Sequence, residues 1–169
     1  MSGAATKLLP VAAIQSSIYK CITNAYKCGS FKCIDGITND DLCHTNAEPY
    51  PWLAIDFGEE AQVSVGKTVL LCRKYWRRRT RNVEVWLADK VPLTAEKKFS
   101  GGHLLGTFEG PATSGQEVEI ESGPGWRKQM GRYLIIQMNN GTGHLYLNLR
   151  EVFAFGITRV PSNGKFRTV

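Results

Sequence analysis

Apolar and polar residues alternate with a period of two along much of this chain, and no stretch carries the 3.6-residue period of an amphipathic helix. "VEVWLAD" places Val83, Val85 and Leu87 on one face and Glu84 and Trp86 on the other. "EVEIE" sets Val118 and Ile120 between glutamates, a strand with one wet face. "RYLIIQM" offers Leu134, Ile136 and Met138 to one side, and "HLYLNLREVFAF" offers Leu145, Leu147 and Leu149. "VSVGKTVLLCR" reads as a further strand, with Gly66 as a bulge or kink. Trp52 opens a strand whose Leu53 and Ile55 face one way, so sheet or core packing is expected for it. The breaks "SGGH", "EGPATSGQ", "ESGPGW" and "NNGTGH" are turn-like. About eight main strands at this spacing, with little or no helix, predict an all-β protein: a β-sandwich or jelly roll.

A chain of 169 residues with 43% hydrophobic and 21% charged residues supports one substantial core and is not that of a disordered protein. We expect an N-terminal segment over 1–11, one domain over 12–157, and a polar, basic, mobile tail over 158–169. No run approaches the length of a membrane span. The start, "MSGAATKLLPVAAIQSS", is too weak for a secretory signal. The chain is therefore either intracellular or a mature secreted form behind an added Met, and the secreted, extracellular reading is the one expected here.

The net charge of +6 has one address. Six of the 21 cations lie in "RKYWRRRTR", Arg73 to Arg81, and the remaining cations balance the 15 acids. Such a run is either a solvated loop or a docking surface for an anionic or polyhydroxylated partner. One basic loop with two aromatics and no recognition element does not predict nucleic-acid binding.

Cys21, Cys28, Cys33, Cys43 and Cys72 form no C-x-x-C pair, which argues against a zinc ribbon. Three of them crowd "KCITNAYKCGSFKC", a loop-like segment where one or two disulfides suit a secreted protein. Asn140 in "NGT" is a formal glycosylation sequon. Cys43 and His44 are adjacent and so point to opposite faces of an extended chain, which does not suit a catalytic dyad. His103 and His144 lie in Gly-rich turns, with no zinc spacing. No nucleophile motif is present, and an enzyme is not expected. Trp76, surrounded by cations, is either a ligand platform or a stacking partner for its own arginines.

The order of these signals resembles the F-type lectin (fucolectin) family, within the discoidin or coagulation-factor C-type superfamily of galactose-binding-like jelly rolls. The resemblance rests on "IQSSIY", "CIDGITNDD", "CHT" followed by "PYPWLAIDFG", Arg73 ahead of the basic run, "RNVEVWL", "GRYLIIQM" and "YLNLREVFAFG", from Ala12 to Gly156. It implies a sugar site of the pattern H…R-x-D-x-x-x-x-R, which puts His44 and Arg73 on the ligand. Guanidinium forks donate to paired sugar oxygens, and Tyr75 and Trp76 offer an apolar surface. Two departures stand out. Tyr75 replaces the aspartate, and Thr80 stands where the second arginine belongs, flanked by Arg79 and Arg81, of which Arg79 is preferred. Two extra residues also lie between His44 and Arg73, around Gly66.

The resemblance also implies a structural calcium ion. Its ligands would be the Asp35 side chain, the carbonyls of Lys32 and Ile37, an oxygen from Asp41, and the Glu151 carboxylate, all hard oxygen donors. The plainer reading of Asp35 is a turn cap ahead of Gly36. Many relatives join a cysteine beside the histidine to one in the last strand. Here Arg150 occupies the second place, so Cys43 pairs within the Cys21–Cys33 cluster, pairs with Cys72, or stays reduced.

The leading expectation is a lectin for fucose or a related terminal sugar, binding weakly per site and gaining strength through homo-oligomers or arrays. The alternative is a discoidin-like adhesion module that docks on sulfated glycans, such as heparan sulfate, or on anionic phospholipid through Arg73–Arg81. An accessory module cut from a larger enzyme is a third class, for which nothing in the sequence speaks.

Overall fold

The structure, a computed structural model, describes residues 4–20, 28–75, 79–139, 143–162 and 165–168. Two antiparallel sheets face each other. One has the strand order β2 (Ala12–Gln15), β4 (Trp52–Asp56), β9 (Tyr133–Met138), β6 (Val83–Ala88), β7 (His103–Phe108). The other runs β1 (Thr6–Lys7), β10 (Asn148–Ser162), β5 (Gln62–Cys72), β8 (Glu117–Glu121), with β3 (Cys43–His44) and β11 (Lys165–Thr168) also paired to β10. Short 3-10 turns span Ser30–Cys33 and Trp126–Lys128.

The alternation in the sequence sorts residues as expected. Val83, Val85, Leu87, Val118, Ile120, Leu134, Ile136 and Met138 fill the space between the sheets. Trp52, Ala54, Trp86, Ala88 and Ile135 form a second apolar cluster on the outer face of the five-stranded sheet. The 89–102 connection covers that cluster, with Phe99 edge-on to Trp86 at 5.7 Å. Strands buried on both faces lose simple alternation, which is why β6 reads as fully buried.

Two irregularities shape the long β5–β10 ladder. Phe155 faces Lys67 and Gly156 faces Val65, so Gly66 is the extra, bulged residue. Trp126 packs where a side chain at 66 would stand, 2.8 Å from the position of its Cβ. Leu149 faces Cys72 and Glu151 faces Leu71, so Arg150 is a second extra residue. Arg150 is buried, donating from Nε to the Cys72 carbonyl at 3.0 Å and from Nη1 to that of Thr38 at 3.2 Å.

Three expectations change. The stretch read as a tail from Thr158 carries strand, with β10 continuing to Ser162 and β11 paired antiparallel to it. The strand read from "HLYLNLREVFAF" starts at Asn148, and Leu145 before it makes only an isolated bridge to Glu48. His103 opens β7 rather than sitting in a turn.

The single aspartate of "LAIDFG" is structural. Arg132 grips Asp56 in a two-pronged pair, Nε to Oδ1 at 2.8 Å and Nη2 to Oδ2 at 2.7 Å, and Gly58 N–H also donates to Oδ1 at 2.8 Å. These hydrogen bonds hold the Asp56 carboxyl below its ordinary range. A depressed carboxylate contributes stability above its unfolded value, and loses it as pH falls through the folded one. Asp56→Asn should therefore cost about 2 kcal/mol at neutral pH. The difference from wild type should shrink on acidification in chemical denaturation below pH 4.

Candidate functional site

The site grows from the short strand β3. Its two residues pair with β10, His44 opposite Asn148 and Cys43 opposite Leu149. Cys43 is joined to Cys33, which sits in the Ser30–Cys33 turn and is fully buried. Of the alternatives open to Cys43, the structure thus chooses a partner within the cluster, and Cys33 belongs to the core rather than to an exposed loop. Cys28 is also disulfide-bonded, Cys72 is free and buried, and Cys21 lies outside the described residues. Gln15 stitches the neighbourhood together, donating from Nε2 to the carbonyls of Ser17, Cys28 and His44.

His44 is 4% exposed and lies in a strand, not in an open loop. Tyr19 stacks over its ring at 4.4 Å, and Tyr146 meets it edge-on at 5.6 Å. Nδ1 lies 2.7 Å from the Thr45 carbonyl, which can only accept. Nδ1 therefore carries the proton and the neutral ring presents Nε2 as a lone-pair acceptor. Burial, and then the charges of Arg73 and Arg79, push the imidazole down to about 4 against the Thr45 bond, so that tautomer persists well below neutral pH.

The arginine turn arrives at the same end. Arg73 follows directly on β5, and Arg79 lies 4.4 Å over the Tyr146 ring. Burial and the like charge of Arg79 lower the Arg73 guanidinium, with the Tyr19 phenol opposing. The histidine strand and the arginine turn thus share one rim. The turn is held by the 109–116 segment: Asn82 N–H donates to Glu109 O, Ala112 N–H to Thr80 O and Gly115 N–H to Arg73 O. Thr80 is buried, while Arg81 and Tyr75 are exposed, Tyr75 at 71%. Trp76, with Arg77 and Arg78, lies outside the described residues. Sequence reasoning did not single out Tyr19, Tyr146 or Asn148. The only signal for them was their place inside "IQSSIY" and "YLNLREV", two of the stretches that carry the resemblance.

The second predicted set also gathers. Glu151, 1% exposed, accepts from Gly36 N–H at 2.8 Å and Val152 N–H at 3.2 Å. Burial pushes its carboxyl up to about 7, with the facing charge of Asp35 adding to this. Asp35 Oδ1 accepts from Ile37 N–H at 2.9 Å around Gly36, whose φ is +75°, so the plain turn-cap role is real. The Lys32 ammonium lies 3.3 Å from Asp35 Oδ2 and 3.2 Å from Asp41 Oδ2. Among the described residues no three metal-ligating side chains stand close enough to form a ready-made cluster. The oxygen donors still suit a hard cation: a buried carboxylate faces a second one, with three backbone donors and the charges of Lys32 and Lys7 nearby to offset them. Lys74 joins the two regions through its 3.0 Å pair with Asp40.

No protein-family model matches the sequence, and no curated protein matches it either. Solved structures do. A fucolectin from the serum of striped bass, Morone saxatilis, superposes with a TM-score of 0.66 at 19% identity over 86% of this chain, which spans only 45% of that lectin's length. A mutant lectin domain of lectinolysin, in complex with Lewis b, gives 0.65 at 21% identity, covering 91% of this chain and 99% of that one. A fucose-binding module of Streptococcus pneumoniae gives 0.63 at 19% identity, covering 92% and 99%. The chain shares the β-sandwich fold of these proteins.

Proposed function

We propose that this protein is an F-type lectin, holding fucose or a related terminal sugar of a glycan at the rim formed by His44, Arg73 and Arg79, without chemical turnover. One observation carries the reading: an acceptor imidazole, two guanidiniums and two tyrosines converge on a fold shared with fucose-binding modules. A sugar offers what they need, hydroxyls to donate and oxygens to accept, with an apolar face for an aromatic ring. Tyr19 covers the imidazole, so ligand reaches Nε2 with Tyr19 turned aside.

In the same reading a calcium ion is held by Asp35, Asp41 and Glu151 with the Lys32 and Ile37 carbonyls. Bound there, it would supply charge that neutralises the buried acids and fixes the turn after Cys33. Disulfides suit a secreted protein, and among the described residues no helix is long and apolar enough to cross a membrane.

A glycan array run with and without chelator, at two salt concentrations, tests this. Fucosylated or other terminal-sugar hits should survive high salt, and His44→Ala should weaken them about tenfold or more. Calcium should raise the melting temperature, and chelator should lower it. Wild-type affinity in His44→Ala would count against the site. The exposed Arg81 and Tyr75 keep the adhesion reading in play; binding to heparin or anionic vesicles that vanishes with salt, with no sugar hits, would favour it.

A further inference from the structure

The donors and acceptors on this rim are not balanced for a neutral sugar. On the acceptor side stand His44 Nε2 and, on the neighbouring strand, Asn148. Cross-strand partners share a face, and Asn148 is opposite His44, 1% exposed, with Nδ2 donated to the Tyr146 carbonyl. Its Oδ1 is buried and accepts from no donor among the described residues. A buried amide oxygen without a donor costs free energy unless a ligand or water supplies one.

On the donor side, Arg73 enters no ion pair among the described residues. The charged group that bears on it is Arg79, of like sign, and the position two residues on, where the resemblance expects an aspartate, holds the exposed Tyr75. The nearby Lys74 is engaged with Asp40 on the far side of the turn. The rim therefore combines acceptors that ask for hydroxyl donors with a desolvated cation that asks for an anion.

We propose that the ligand is an acidic saccharide, whose hydroxyl donates to the His44 Nε2 and Asn148 Oδ1 acceptors while its sulfate or carboxylate lies against Arg73 and Arg79. The proposal rests on the lectin reading and sharpens its substrate class. A bare inorganic anion satisfies only half of the site, and a neutral sugar leaves the charge of Arg73 without a counter-ion. A planar guanidinium fork matches a sulfate or carboxylate edge.

Titration calorimetry of the full chain with galactose, fucose, galactose 6-sulfate and N-acetylneuraminic acid separates the possibilities, since the last two distinguish a sulfate from a carboxylate source. At least one acidic sugar should bind about tenfold more tightly than the neutral ones, an advantage that falls as salt rises. Arg73→Gln should remove that ratio, and Arg73→Lys should restore part of it. Asn148→Leu, of similar volume, should weaken all sugars while inorganic sulfate binding stays unchanged. Equal affinity for neutral and acidic sugars overturns this inference and leaves the lectin reading standing. Binding of no sugar at all overturns both.

Discussion

Gly156→Ala is expected to abolish the native state. A Cβ at this position would lie 1.9 Å from the Ser64 carbonyl oxygen, and that oxygen belongs to the backbone of the adjacent strand. The clash falls at the Gly66 bulge, where the two longest strands of the described structure, β5 and β10, change register. Neither backbone can retreat without unpairing the ladder on both sides of it. The cost should reach about 4 kcal/mol or more, at the exceptional end for one substitution. Urea denaturation and soluble yield provide the check, with Gly123→Ala as the control: its added methyl meets nothing within 4 Å, and it should change stability by less than about 0.5 kcal/mol. A folded Gly156→Ala protein with the wild-type midpoint would mean that the β5–β10 register is not as described. The effect reaches the site because β10 carries both Asn148, opposite His44, and Glu151, beside Gly36.

Much of the fold was legible because its strands bury one or both faces. Val83, Val85 and Leu87 could be assigned to one side from spacing alone, and Gly66 marked its own bulge. The strand stretches 158–162 and Lys165–Thr168 were not legible, since their polar, basic residues resemble a tail, and it is their mutual pairing that makes them strand. The candidate site was partly legible. Histidine and arginine announce their chemistry in any sequence, and the resemblance supplied their pairing. Tyr19 and Tyr146 announce only an aromatic ring, and their convergence on His44 depends on three separate segments meeting. Asn148 was harder still, because an unpaired amide oxygen is a property of packing that no spacing reveals. The bulge at Arg150 had no signal at all. There the basic side chain bridges two backbone carbonyls, those of Cys72 and Thr38.

The covalent restraint at this end of the sheet gives the second large effect. The Cys33–Cys43 bridge closes a loop of ten residues, and in a chain-entropy account its removal should cost about 3 kcal/mol. The double variant Cys33→Ala, Cys43→Ala is the cleaner test than reductant, since Cys28 is also disulfide-bonded. Scanning fluorimetry should show the melting temperature lowered by about 6–12 °C. The more telling result concerns coupling. The bridge ties the strand bearing His44 to the turn bearing Lys32, and the loop it closes contains Asp35, Ile37 and Asp41. Sugar affinity and the calcium-induced rise in melting temperature should therefore weaken together in the variant, although neither cysteine touches either ligand. If sugar binding were unchanged while the calcium response disappeared, the two regions would be mechanically independent, and the Lys74–Asp40 contact between them would be ornamental. Joint loss is expected because β3 has only two residues. A strand that short leans on its neighbours for register, and the sulfur bridge behind it adds a covalent restraint on the imidazole to the hydrogen bonds from Gln15 and Thr45.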